Sequence, residues 1–203
     1  MSDPALGILG VAPHSGWAAA VLIAGTADAP RVVLRERLEL CDARLAGSRQ
    51  PYHELEGLPL GEARRRLVRF ETSATRAARS ALTALRGRAR AVRVEPRAVG
   101  ILDSSGRSGV PLAAILASHA LIHTADGNHF RDALERAAFA LGMSVQRIPQ
   151  RELTAQAAPL AMRRSPEELA ESLKALGRGL GSPWGADQKS AALFAWLLLA
   201  QGP

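Results

Sequence analysis

At 203 residues, 47% of them hydrophobic, the chain has the length of one ordinary domain and enough apolar content to exclude a disordered polymer. A lone Cys41 excludes an internal disulfide framework, and the longest apolar run, 191–200, is too short to span a bilayer. The net charge of +7 admits nucleic acid as a partner, although Lys174 and Lys189 are the only lysines among 26 basic residues, the bias of a GC-rich coding sequence.

The chain opens with two short apolar runs, Leu6–Val11 and Trp17–Ala24, around a turn at Ala12-Pro13-His14-Ser15-Gly16. The first run is apolar on both faces, which predicts a central strand covered on each side. A third strand is expected over Arg31–Leu40, and Ala43–Leu58 reads as a polar loop holding the only tyrosine and His53. Apolar residues recur at helical spacing from Leu60 to Leu85, with Arg64, Arg65, Arg66 and Arg69 on the opposite face. A second basic cluster, Arg86–Arg97, leads into a buried strand, Ala98–Leu102, followed at once by Asp103-Ser104-Ser105-Gly106.

Val110–His123 reads as an apolar helix, Thr124–Gly127 as a break and new cap, and Phe130–Leu141 as a second helix stopped by Gly142. Ser144–Pro149 is a short strand, and Arg151–Arg163 a helix interrupted by Pro159. Ser165-Pro166-Glu167-Glu168 is a capping box that starts a helix ending at Gly177. A glycine-rich connection then leads to a last helix, Ala186–Gln201. The order predicts an α/β domain spanning 1–203: a five-stranded mixed sheet, helices on both faces, with the first strand between the second strand and Ala98–Leu102. No basic leader precedes the first apolar run, so a soluble, cytoplasmic protein without membrane contact is expected.

That order is the order of the ribonuclease H-like fold. Gly10-Val11-Ala12-Pro13 with Gly16-Trp17-Ala18 resembles the opening of RuvC-type Holliday junction resolvases, where a strand ends in Asp-Pro and the next begins at Gly-Trp. Leu102-Asp103 is similar to their second acidic position. Asp187 to Leu193 resembles their C-terminal pair of aspartates three apart, and also the last helix of related ribosomal-RNA-maturation nucleases. The resemblance implies DNA or RNA as partner and a divalent metal (Mg, Mn or Zn) between carboxylates that activates water for hydrolysis. It also identifies the departures: Ala12 stands at the first acidic position and Ser190 at the last, which leaves Asp103 and Asp187 and implies a degenerate nuclease site.

Ala12, His14, Asp103 and Asp187 are therefore expected to converge at one end of the sheet, with His14, Asp103 and Asp187 as catalytic candidates. Ser104, Arg107 and Lys189 are the substrate-contacting candidates. Asp103, Asp187, His119, His123 and Asp126 are the metal-ligand candidates, since His119 and His123 lie one turn apart and imidazole suits Zn or Mn better than Mg. A histidine paired with Asp103 or Asp126 could instead act as a general base. The structural readings stand beside these: His119 and His123 as helix-packing residues, Asp126 as a cap, Lys189 as a solvated cation. Three functions remain open: a nucleic-acid-processing or -binding pseudonuclease, a small-molecule or metal enzyme using a His/Asp pocket, and an interaction module. The sequence leaves the oligomeric state undetermined.

Overall fold

The computed structural model describes residues 3–104, 109–157 and 164–202. Strands β1 (Ala5–His14), β2 (Trp17–Gly25) and β3 (Pro30–Glu39) form an antiparallel meander. β4 (Val94–Asp103) and β5 (Ser144–Pro149) add in parallel, giving one five-stranded mixed sheet in the order β3-β2-β1-β4-β5. β1 is central and neighbours β2 and β4, as its apolar character on both faces predicts.

Strand alternation divides the core into two layers. Leu9, Val11, Leu22, Val99 and Ile101 face α2 (Leu60–Ala91) and α4 (His119–Ala140). Ile8, Ala12, Val21, Ile23 and Leu102 face the C-terminal helix. Short helices α1 (Pro51–Glu54), α3 (Leu112–Leu116) and α5 (Leu153–Gln156) fill the connections, and α6 (Pro166–Leu176) and α7 (Ala186–Gln201) complete the second layer. The Ser165 hydroxyl accepts from the Glu168 N–H while the Glu168 carboxylate accepts from the Ser165 N–H, so the predicted capping box is formed. α7 is buried at every position from Ala191 to Leu198, because it lies between the sheet and α6. Among the described residues no helix is long and apolar enough to cross a membrane.

Two local expectations are corrected. β1 runs on through Ala12, Pro13 and His14, and only Ser15-Gly16 forms the turn, with Gly16 at φ +83°. Proline is tolerated because Pro13↔Ala18 adjoins the closing pair of a two-residue hairpin, a position whose backbone nitrogen points away from β2, and the β1/β4 ladder has ended at Val11↔Ile101. The helix break falls at Ala117-Ser118 rather than Thr124–Gly127. Gly127 stays helical because its missing side chain admits Arg131, whose Nη1 donates to the Gly127 carbonyl at 2.6 Å. The expected helix over 151–163 is seen as a 3₁₀ turn (Gln150–Glu152) and α5, and Pro159 lies outside the described residues.

The approach to α7 is fixed from the far edge of the sheet. Arg35 on β3 donates to the carbonyls of Leu180, Gly181, Ser182 and Pro183 at 2.6 to 3.2 Å, holding the glycine-rich connection in place. The helix then lies so close to β1 that a methyl group on Gly10 would stand 1.8 Å from the Ala191 carbonyl oxygen. Gly10→Ala is therefore expected to cost about 3 kcal/mol or more by overpacking. Gly87→Ala, at an exposed interior position of α2 with no neighbour in reach, is expected to gain ~0.5–1 kcal/mol from helix propensity. Urea denaturation of the two variants checks both signs.

Candidate functional site

Since β1, β4 and β5 are mutually parallel, their C-terminal ends share one edge, and the N-terminus of α7 arrives at the same edge. There His14 Nε2 lies 3.0 Å from Asp187 Oδ2. The His14 ring stacks on Trp17 at 4.3 Å, and the Arg37 guanidinium covers the Trp17 ring at 3.8 Å. The hairpin register pairs His14 with Trp17, so the turn itself presents the histidine to α7. Lys189 is exposed one turn into α7, and Ser190 is half-buried beside it.

Asp103 reaches that edge on the other face. Leu102, one residue past the last β1/β4 pair (Val11↔Ile101), packs with Ala12 in the α7 layer, so alternation turns Asp103 toward α4. Arg147 of β5 holds it in a two-pronged contact, Nε to Oδ2 at 3.1 Å and Nη2 to Oδ1 at 3.0 Å. The same guanidinium donates to Asp132 at 2.7 Å and Glu135 at 2.8 Å. Burial works to lower the Arg147 pKa, but the bonds to Asp103, Asp132 and Glu135 outweigh it and raise it overall. Arg131 closes the other side, with Nε 3.6 Å from Asp103 and hydrogen bonds to the carbonyls of Leu102 and Pro13. Burial lowers the Arg131 pKa from its ordinary value.

The expected convergence is therefore partial: His14 and Asp187 meet, while Asp103 shares their edge but not their face. These residues do not fit a two-metal carboxylate centre. Ala12 offers no ligand, Asp187 is engaged by His14, and a cation on Asp103 would sit against two guanidinium charges. Ser104 donates its hydroxyl to Asn128 at 2.8 Å, and its N–H bonds the Asp103 carboxylate. Arg107 lies outside the described residues. A cavity of about 430 Å³ opens beside the clamp, lined by Tyr52, Asp103, Asn128, His129, Asp132 and Arg147 among others. Burial pushes the Tyr52 phenol up to about 12, so it is neutral there.

The second constellation lies at the start of α4. His119 and His123 face each other with Nε2 atoms 3.0 Å apart, and His53 of α1 packs against both rings. Nitrogens of the three all lie within 4.8 Å of one another. Asp126, 2% exposed, does not join them directly. It accepts from the Tyr52 N–H at 2.7 Å and bonds His53 Nδ1 at 2.5 Å. Burial raises its carboxyl above the ordinary value, against the opposing bonds from His53 and Tyr52. His129 stands apart, buried against Phe130, its Nε2 without a hydrogen-bond partner among the described residues.

Sequence reasoning missed Arg131, Arg147 and the part played by His53. The available signals were an arginine inside the short strand 144–149 and a histidine beside the only tyrosine. The Arg86–Arg97 cluster is largely structural: Arg86 and Arg90 neutralise the buried Glu95, and Arg88 pairs with Glu36.

In comparison with known proteins, no family model and no curated protein sequence matches this chain. Solved structures do. RuvC from Thermus thermophilus in complex with a Holliday junction substrate matches with a TM-score of 0.51 at 13% identity, over 95% of this chain and 91% of that one. A second Thermus thermophilus RuvC structure matches with a TM-score of 0.51 at 14% identity, covering 94% and 92%. The chain thus has the RuvC-like, ribonuclease H-like fold.

Two outcomes test the charge layout. Arg147→Gln leaves Asp103, Asp132 and Glu135 facing one another and is expected to cost about 2 kcal/mol by urea denaturation, less than for a fully buried pair because two of the carboxylates are half-exposed. Burial lowers the His129 pKa to about 4. An unfolded histidine takes its proton near pH 6.5, so between those values the unfolded chain binds more protons and stability falls as the pH falls, by up to ~3 kcal/mol. His129→Phe is expected to flatten that slope relative to the wild type.

Proposed function

We propose that this chain is a nucleic-acid-binding relative of the RuvC resolvases in which the two-metal cleavage centre has been replaced by charge pairs within the protein. The observation that carries the reading is the arginine clamp on Asp103. A carboxylate held by a two-pronged guanidinium at 3.0 and 3.1 Å already has the positive charge a metal ion would supply. Ala12 offers no ligand on the neighbouring strand, and Leu102 packs with it in the α7 layer. Catalysis of phosphodiester hydrolysis through paired ions needs several carboxylates converging on one face, and among the described residues the α7 side of this edge carries Asp187, paired with His14, and Glu39 on the outer strand β3, paired with Arg37.

Binding needs none of that chemistry. Phosphate contacts depend on exposed cations, and the N-terminal half of α2 carries Arg64, Arg65 and Arg69 exposed and without ion pairs among the described residues. Arg66 on the same segment pairs with Glu62. This part of α2 packs through Ala63 and Phe70 on Leu55, Leu112 and Leu116, beside the segment that leaves β4. The arginines therefore lie on the flank of the edge where RuvC-type folds carry their acidic positions.

Wild-type protein is expected to bind a four-way DNA junction with strongly salt-dependent affinity and to leave it uncut in Mg²⁺ or Mn²⁺. An Arg64→Ala, Arg65→Ala, Arg69→Ala variant is expected to lower the slope of log affinity against log salt by roughly 2–3, at ~0.9 for each phosphate deprived of its arginine. Salt-insensitive or absent DNA binding, or tighter binding to RNA, overturns the DNA assignment. Metal-dependent turnover by the wild type that Asp103→Asn abolishes overturns the replacement of the cleavage centre.

A further inference from the structure

We propose that His53, His119 and His123 form a zinc site, with Asp126 as the positioning residue that orients His53. The site lies apart from the Asp103 and Asp187 positions and does not depend on the nucleic-acid reading.

The three imidazoles come from two elements brought together by packing, His53 from α1 and His119 and His123 from successive turns of α4. An i, i+4 pair on one helix face points two rings the same way, and here their Nε2 atoms are 3.0 Å apart. Two nitrogens bound to one tetrahedral zinc at ~2.05 Å are ~3.3 Å apart, so this pair needs almost no adjustment. One ring nitrogen from each of the three lies within 4.8 Å of the others, so a shift of no more than about 1.5 Å in the half-buried His53 brings the third to bonding distance.

His53 is not free to point anywhere. Its Nδ1 is bonded to Asp126, which leaves Nε2 as the nitrogen able to hold a cation. Asp126 is fixed in turn by the Tyr52 N–H and by near-complete burial. A buried carboxylate bonded to the non-ligating nitrogen is the arrangement that sets tautomer and orientation in histidine metal sites. The Asp126 bond locks one ring into a trio that already shares a focus.

The donor set selects the metal. Three neutral nitrogens suit Zn²⁺ and other borderline transition ions, and they disfavour Mg²⁺ and Ca²⁺, which require oxygen. His119 and His123 are exposed, so the ion keeps at least one position open to water or to an anionic oxygen ligand. That is the coordination of a reactive centre rather than a closed structural one.

Isothermal titration of the metal-free full-length chain with ZnCl₂, and the visible spectrum with CoCl₂, test the proposal. The wild type is expected to take up one equivalent of Zn²⁺, undisturbed by millimolar Mg²⁺, and to give the absorption of low-symmetry Co²⁺. A His119→Ala, His123→Ala variant alters exposed side chains, is expected to keep the wild-type circular dichroism, and to lose at least 100-fold in affinity. Asp126→Asn is expected to keep one equivalent but to bind 10–100-fold more weakly. His53→Gln, which keeps the Asp126 carboxylate and its Tyr52 bond, is expected to lose affinity with the same stoichiometric readout. No stoichiometric zinc in the wild type, or equal uptake by the wild type and the His119→Ala, His123→Ala variant, overturns the site and leaves the DNA-binding reading standing.

Discussion

The closeness of α7 to the central strand is the constraint from which the arrangement of the site follows. Gly10 and Gly100 are register partners on β1 and β4 and both face this helix, Gly10 against the Ala191 carbonyl and Gly100 against Phe194. Backbone contact of this kind tolerates no side chain on the strand and only small residues on the first turns of the helix, which is why 190–192 reads Ser-Ala-Ala. It also fixes where the helix begins. Arg35 ties down the preceding connection, so Asp187 emerges over the end of β1, at hydrogen-bond distance from His14. The position of that carboxylate is thus a packing outcome before it is a chemical one.

The other face of the same edge is governed by charge. Arg147 sits on β5 beside the buried Ile148 and meets three carboxylates from two elements. Half-buried charges are tolerable only when paired, and a guanidinium with five donors in a plane can satisfy several oxygens at once. A divalent ion and this arginine make the same electrostatic demand on Asp103, so the presence of one removes the need for the other. Arg131 strengthens the exclusion by joining the ends of β1 and β4 through the carbonyls of Pro13 and Leu102. The clamp ties the ends of β4 and β5 to α4.

The sequence showed the strand order, the central place of β1 and the bounds of α6 and α7, because each rests on local signals: two-faced apolar runs, a capping box, a glycine stop. It did not show which face Asp103 would take. Proximity along the chain says that Asp103 ends β4, but only the register of β4 with β1, set by long-range pairing, reveals that Leu102 and not Asp103 shares the face of Ala12. The helix break was misplaced for a related reason. Asp126-Gly127 reads as a stop, yet Asp126 is consumed by His53 and Tyr52, 73 and 74 residues away along the chain, and Gly127 makes room for Arg131. Tertiary partners overrode local propensity at Asp126, while at Gly127 the helix continues with its carbonyl bonded by Arg131 one turn on.

The same partnerships favour the histidines over the carboxylates as the donors of the proposed zinc site. The buried or half-buried aspartates near this end that the structure describes are each engaged: Asp103 and Asp132 by Arg147, Asp187 by His14, Asp126 by His53 and Tyr52. Oxygen donors are therefore spent on fixed protein charges or on orienting rings. The Nε2 atoms of His119 and His123 are bonded to each other, at 3.0 Å, rather than to a carboxylate. A hard ion such as Mg²⁺ competes poorly for such a surface, while a borderline ion meets three nitrogens converging at the start of α4.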